Sequence, residues 1–204
     1  MSTIIFLQIF FVCLLGAMSP GPSMVVVINN AIFKNRYHGI LTSVGHGIGI
    51  GIYALFAVIG IGLIIRTNSI FLNGLKVISA FFLIYLGIRS IIDKKELNFG
   101  TKNIKGEFTS FFQGFSISIL NPKIFIWFVA IYSQFMRENN NIIFNSYLVL
   151  TAGIVDMSWY IFLTLIVTSK TAFAFFKKKN YLLKRFIGTI FIIIGFILLI
   201  EILI

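Results

Sequence analysis

The stretch GAMSPGPSMVVVINNAI, residues 16–32, carries two of the three prolines of the chain inside an otherwise apolar segment. Proline in a helix interior removes a backbone donor and breaks the helix. At the first position of a helix, however, proline is favoured, and serine is favoured just before it. The pattern therefore predicts a new half-helix that Ser19 caps and Pro20 begins. Gly21 allows close approach, and Pro22 keeps the half-helix separate from the helix before it.

The composition is that of a polytopic membrane protein. Of the 204 residues, 58% are hydrophobic and 11% are charged, whereas a soluble domain is about 45–50% apolar and roughly one quarter charged. The net charge of +11 comes from bases between apolar segments, where they set topology and meet anionic lipids rather than nucleic acid. The single cysteine, Cys13, excludes a disulfide within the chain and a two-cysteine metal or redox site.

Six apolar segments are long enough to cross a bilayer. They lie near residues 4–33, 39–65, 70–90, 108–135, 142–168 and 185–203. No base precedes the first segment and the apolar pattern resumes after Pro22, so we expect a retained span rather than a cleaved signal peptide. The longest polar connection runs from Ile92 to Glu107. The sequence predicts an all-α protein with one transmembrane domain, residues 1–204.

The distribution of bases predicts the orientation in the membrane. Of the 17 Lys and Arg residues, 13 lie in the first, third and fifth connections, and only Arg66 and Arg137 lie in the second and fourth. Lys76 and Lys123 fall within spans. Because cytoplasmic connections are enriched in bases, we expect the odd connections in the cytoplasm and both termini outside.

The chain is predicted to consist of two structural repeats. Pro122 follows Asn121 and lies 102 residues after Pro20, which is half of the length of the chain. Each half has three spans, and the first span of each carries the proline break. An odd number of spans per half makes the halves face opposite ways. We therefore predict two inverted three-helix repeats, about residues 1–92 and 108–204, a plan in which paired breaks mark the binding site of many transporters.

Two half-helix starts inside a membrane present partial positive charge and backbone donors, which suit a carboxylate. Lys123 adds a full positive charge. The alternative is that each break is a packing kink. The candidate substrate-binding residues are Ser19, Pro20, Gly21, Pro22, Ser23, Asn121, Pro122 and Lys123.

Asp156 is the only acidic residue well inside a predicted span. Such a carboxylate is costly and usually faces a cavity or a partner. We expect it to bind a substrate ammonium group or a proton, or else to form a structural pair with Lys76 or Lys123. Trp159 shares its helix face, and packing is its expected role.

His46 lies among Gly45, Gly47, Gly49 and Gly51, which we expect to pack helices closely. Histidine is the side chain whose unperturbed pKa lies closest to neutral pH, and we expect His46, with Lys76 and Trp159, as a candidate supporting residue. Lys76 is expected either to be buried or to extend toward the outer surface.

Enzyme signatures are absent from the sequence. It has no His-Glu-x-x-His, no Gly-x-Ser-x-Gly and no phosphate-loop motif. With two histidines and one cysteine, we expect no metal site. We therefore expect a protein that is not an enzyme and does not itself hydrolyse ATP.

Taken together, the segments MSPGPSMVVV at 18–27, LKVISAFFLIYLGIRSI at 75–91 and FFQGFSISILNPKIFIWFVAIYSQF at 111–135 resemble the LysE/RhtB-type amino acid exporters. The spacing of Asp156 and Trp159 is similar to that family too. The resemblance implies export of neutral or basic amino acids across the bacterial cytoplasmic (inner) membrane, driven by protons, with no metal or organic cofactor. Ser23 departs from the pattern, since members often carry Asp or Asn there, and this leaves the substrate open.

The expected partners are an amino acid substrate, protons and membrane lipids, and a homo-oligomer is left open. Three alternatives remain. One is a transporter of another small solute or a cation, which predicts more carboxylates in the membrane. A second is an intramembrane enzyme built on Ser19, Ser23 and His46. A third is an assembly partner, which gives no reason for two matched breaks.

Overall fold

The computed structural model describes residues 3–67, 69–92, 107–135 and 141–203, which are mainly helical and contain no strand. These ranges form eight α-helices and one π-helical turn. They are α1 (Thr3–Met18), α2 (Pro22–Asn29), the π turn (Asn30–Lys34), α3 (Arg36–Thr67), α4 (Ser69–Ile92), α5 (Glu107–Ile119), α6 (Pro122–Phe135), α7 (Ile142–Val167) and α8 (Lys170–Leu203). The all-α prediction is confirmed for the described part of the chain.

Within the described ranges, three helical stretches are long and apolar enough to cross a membrane: Arg36–Ile61, Ile142–Val167 and Tyr181–Ile200. The bent pair Ile4–Met18 and Pro22–Lys34 makes a fourth if it is one span. These correspond to the second, fifth, sixth and first predicted spans. The third coincides with α4 and the fourth with α5 and α6, and both stay predictions as membrane spans.

Part of the charge pattern behind the predicted orientation lies outside the described residues. This applies to Lys94, Lys95, Lys102 and Lys105 in the third connection and to Arg137 in the fourth. The orientation with both termini outside therefore stays a prediction.

The first break joins α1 to α2 at a bend of 68°. Gly21 has extended backbone, with φ −175° and ψ −170°, and it is the N-cap of α2, which begins at Pro22. The predicted start at Ser19-Pro20 is thus wrong by two residues. A residue before proline is sterically disfavoured in the helical region, so Pro22 holds Gly21 extended and moves the start to itself. Ser19 instead continues from α1, since its N–H donates to the carbonyl of Gly16 at 3.2 Å.

The second break joins α5 to α6 and follows the prediction. Helix α6 begins at Pro122, and the side-chain oxygen of Asn121 accepts a hydrogen bond from the backbone N–H of Lys123 at 3.1 Å. The carbonyl of Asn121 accepts from the N–H of Ile124 at 3.0 Å, as the first turn of a helix requires. The assignment of Asn121 as the cap is therefore confirmed.

The π turn lengthens the first broken segment by one wide turn. Here the carbonyl of Asn30 accepts from the N–H of Asn35, five residues on, at 3.2 Å. The Asn30 side chain donates to Oε1 of Gln113 at 2.8 Å, and the Lys34 ammonium donates to the hydroxyl of Ser110 at 2.9 Å. Both acceptors lie on α5, so hydrogen bonds join the C-terminal end of the first broken segment to the second broken segment.

Glycines allow α3 to pack closely on α5. A Cβ added to Gly45 would collide with the backbone of Phe111, one at Gly49 with the hydroxyl of Ser118, and one at Gly114 with the carbonyl of Thr42. The predicted packing role of the glycines around His46 is confirmed for Gly45, Gly47 and Gly49. At Gly51 an added Cβ meets no atom within 4 Å.

Two further glycine contacts are reciprocal. Where α3 crosses α7, a Cβ on Gly47 would lie 2.9 Å from the carbonyl oxygen of Gly153, and one on Gly153 would lie 3.1 Å from that of Gly47. Where α4 crosses α8, the same holds for Gly87 and Gly188, at 2.5 and 2.7 Å. Mutual contacts of this kind are expected where equivalent elements meet on a two-fold axis. The inverted repeat itself stays a prediction.

We expect Gly114→Ala to destabilise the protein strongly. The new methyl group would overlap the carbonyl of Thr42, so α3 and α5 must separate, and such overpacking costs about 1–3 kcal/mol or more. The matched control is Gly60→Ala, where the added methyl meets no atom within 4 Å and helix propensity gains about 1 kcal/mol. Thermal unfolding in detergent, followed by loss of the monodisperse peak, is the measurement. Equal midpoints for the two variants would contradict the packing described here.

Candidate functional site

The two breaks contact each other through their side chains. The ammonium of Lys123, at the start of α6, donates a hydrogen bond to the hydroxyl of Ser19 in the first break. The side-chain amide of Asn121 donates to the hydroxyl of Ser23, on the first turn of α2, at 3.4 Å. Residues about one hundred positions apart in sequence therefore form one polar cluster, which we call the break cluster: Ser19, Ser23, Asn121 and Lys123.

The two half-helix starts differ in how their donors are used. At α6 the side chain of Asn121 already occupies the N–H of Lys123. At α2 the N-cap is Gly21, which has no side chain to accept a hydrogen bond. At α6 a side chain therefore occupies one of the backbone donors that were expected to be open, whereas at α2 no capping side chain does so. An anion near α2 would find the positive end of the helix dipole and the Lys123 ammonium together.

A buried acid–base pair lies beside the break cluster. His46 on α3 and Asp156 on α7 are 1% and 6% exposed, and Nδ1 of the histidine lies 2.6 Å from Oδ2 of the carboxylate. The second ring nitrogen, Nε2, is buried without a hydrogen-bond partner among the described residues. The ring of Tyr160 packs edge-on against the imidazole, with centroids 4.8 Å apart. The imidazole is thus held in one orientation, with Nε2 left for a ligand or water.

The break cluster and the His46–Asp156 pair line the same cavity. Its volume is about 60 Å³, several times the roughly 10–15 Å³ that one water needs. The remaining walls are mostly apolar. They come from Cys13, Gly16, Ala17, Gly21, Ile50, Ile124, Trp127, Phe128, Ala152, Tyr160 and Phe191. A small polar molecule with an apolar part fits this lining better than a hydrated ion does.

Several predicted site residues do not line the cavity in the described part of the chain. Pro20 and Pro22 shape the first break but are not among the lining residues. Lys76 on α4 is half-buried and is not the partner of Asp156, because His46 takes that place. Trp159 packs instead beside Phe162, with ring centroids 5.9 Å apart.

For Pro122 the structure describes the backbone, which starts α6. This residue therefore contributes to the site by placing Asn121 and Lys123 on either side of the helix start. Its role is structural in the same sense as that of Pro22 at the other break.

The aromatic wall of the cavity was not predicted from the sequence. Trp127 and Phe191 line it, with ring centroids 4.8 Å apart. One signal was available for the first of them, because Trp127 follows Lys123 by four residues and so shares its face of α6. For Phe191 there was none, since one phenylalanine among 24 carries no mark of its own.

Comparison with known proteins places this architecture among membrane translocators. A family model described as LysE type translocator matches residues 14–202. The uncharacterized membrane protein YrhP of Bacillus subtilis is 29% identical over 161 residues, covering 72% of this chain and 76% of that protein. The leucine efflux proteins of Salmonella choleraesuis and Salmonella typhimurium are each 26% identical over 126 residues, 57% of this chain and 56% of those proteins. No solved structure matches the chain.

Proposed function

Because the chain belongs to the LysE type translocator family, we propose that it exports neutral or basic amino acids from the bacterial cytoplasm by proton antiport. The observation that carries the proposal is the cavity that the Lys123 ammonium shares with the His46–Asp156 pair. An amino acid presents a carboxylate and an ammonium group on one carbon, and the cavity has a group of opposite charge for each.

The α-carboxylate binds at the break cluster in this proposal. The Lys123 ammonium and the start of α2 both favour an anion, and Ser19 already accepts a hydrogen bond from that ammonium. Gly21 lies beside this ammonium, because a Cβ there would be in ordinary contact with Nζ of Lys123, at 3.9 Å. Ser23 and Asn121 hold the two half-helix starts together around the ligand.

Asp156 couples export to protons by competition. Either a proton or the substrate ammonium neutralises its carboxylate, and a buried carboxylate strongly favours having one of them. Release of the amino acid outside leaves Asp156 to take up a proton there, and arrival of the next amino acid inside displaces that proton into the cytoplasm. One amino acid then leaves for each proton that enters, with His46 holding the carboxylate in place at 2.6 Å.

The predicted architecture of six spans in two inverted repeats suits alternating access. The reciprocal contacts of Gly47 with Gly153 and of Gly87 with Gly188 support it, as does the meeting of the two breaks at one cavity. In secondary transporters of this plan the halves rock around a central site. The predicted orientation, with both termini outside, places the first and fifth connections in the cytoplasm.

Reconstituted liposomes test the proposal. Vesicles loaded with a mixture of labelled amino acids and given an acidic exterior should lose at least one amino acid about tenfold faster than vesicles without protein. A protonophore should slow that loss. If no amino acid leaves faster than from empty vesicles, export is wrong. If export is fast but indifferent to the proton gradient and the protonophore, antiport alone is wrong.

The contact between Lys123 and Ser19 also favours a second candidate, an intramembrane hydrolase. A serine hydroxyl beside a lysine is the arrangement of a nucleophile and its base once the lysine ammonium has lost a proton and become a neutral amine. A fluorophosphonate probe separates the two functions. Labelling of the wild-type protein that disappears in Ser19→Ala would favour the hydrolase, whereas a transporter remains unlabelled and exports its substrate in the presence of the probe.

A further inference from the structure

The cavity has a charged end and an aromatic end, and α6 connects them. Lys123 and Trp127 are four residues apart, as are Ile124 and Phe128, and all four line the cavity. Residues at this spacing lie one turn apart on the same helix face. A ligand whose carboxylate meets Lys123 therefore has its remaining atoms directed along α6 toward the rings of Trp127 and Phe128.

The aromatic end is fixed in shape. The indole of Trp127 packs against Phe191 of α8, with centroids 4.8 Å apart and planes tilted by 34°. On its other side the indole touches α1 at Gly16, where an added Cβ would lie 2.8 Å from Nε1. Helix α1 comes this close only because residue 16 has no side chain. Trp127 is therefore held between Gly16 and Phe191, and these three residues set how much room remains beyond the charged end.

The described lining of the cavity has no second carboxylate for a ligand that carries a second positive charge. Among its described lining residues Asp156 is the only acidic one, and in the proposed function its carboxylate binds the α-ammonium group. A lysine or arginine side chain at the aromatic end would bring a charge away from water without a carboxylate to meet it, which strongly disfavours binding. An aliphatic side chain there loses no polar contacts and gains contact with the rings.

We infer that, if the protein exports amino acids as proposed, its substrates are zwitterions with an apolar aliphatic or thioether side chain, such as leucine, isoleucine and methionine. Trp127 and Phe191 are the specificity-determining residues, because they contact that side chain. Gly16 is a positioning residue, which acts by holding the indole of Trp127 in place.

The test is efflux from liposomes that hold equal concentrations of alanine, leucine, methionine, lysine and arginine. The wild-type protein should export leucine or methionine at least about tenfold faster than lysine or arginine. Phe191→Leu, which enlarges the aromatic end, should change the ratio of leucine to methionine export several-fold. Its matched control is Phe186→Leu on the same helix, since Phe186 is 60% exposed and lies outside the cavity lining; that ratio should stay as in the wild type.

A second variant keeps the inference open to test if Phe191→Leu fails to fold. Gly16→Ala displaces the indole of Trp127 toward Phe191 and changes the shape of the aromatic end, so methionine and leucine export should fall at least about fivefold relative to alanine export. Gly60→Ala is the control for the methyl group. Export of lysine or arginine at the rate of leucine, or unchanged ratios in both cavity variants, overturns the inference and leaves proposed export intact. Loss of no amino acid at all overturns export itself and the inference with it.

Discussion

Asp156→Asn is expected to reduce amino acid export at least about a hundredfold, because leaving a buried charge without its partner, here the substrate ammonium group, costs about 3–5 kcal/mol. Asparagine has nearly the same shape, but it neither takes up a proton nor pairs with an ammonium group. Under the proposed competition both ligands lose their binding group. The variant should therefore fail in proton-driven efflux and also in exchange of internal for external amino acid at equal pH.

The control for charge is Glu201→Gln near the end of α8, which removes one acidic group of the same type and should export as the wild type does. Asp156→Glu keeps the carboxylate and should recover part of the activity. Export by Asp156→Asn at the wild-type rate, with normal amounts of protein in the membrane, would show that the carboxylate has no part in transport. Loss of proton-driven efflux with normal exchange would assign it to the proton alone.

Lys123→Met is expected to raise the half-saturating substrate concentration at least about thirtyfold, because truncating one partner of a buried charge pair costs about 2–5 kcal/mol. Methionine keeps the length and the apolar stem of the side chain. It removes the ammonium that the Ser19 hydroxyl and, in the proposal, the substrate carboxylate both contact. The measurement is the concentration dependence of efflux or exchange by the purified variant in liposomes.

A decarboxylated substrate makes this test specific. The wild-type protein should strongly prefer leucine over the amine that lacks its carboxylate, and Lys123→Met should lose most of that preference. A variant that is only misfolded loses both activities without changing their ratio. Lys178→Met, an exposed position on α8, is the matched control. An unchanged preference in Lys123→Met would place the carboxylate elsewhere.

The parts of the site that were predictable from the sequence are those that local chemistry determines. Asn121 before a proline acts as the N-cap because the donor it satisfies lies two residues on. The error in the predicted start of α2 also has a local cause. The conformational restriction that Pro22 imposes on Gly21 outweighs the capping preference of Ser19.

The pairing of His46 with Asp156 was not predictable in the same way. The two residues are 110 positions apart on helices whose faces are nearly all apolar, so no periodicity indicates which side turns inward. Lys76 and Lys123 were equally good partners for the carboxylate on sequence grounds. Which side chain reaches Asp156 depends on how α3 crosses α7, and the close approach at Gly47 and Gly153 determines that crossing.

The long sequence separation of the polar contacts has a consequence for biogenesis. Ser19 meets Lys123, Ser23 meets Asn121, and His46 meets Asp156, at separations of 104, 98 and 110 residues. While a ribosome is still making the second half, the polar groups of the first half already lie in lipid without these partners, where unsatisfied groups are costly. We therefore expect a chain truncated after α4 to be degraded faster in the membrane than the full chain, because its polar groups lack the partners that α6 and α7 supply.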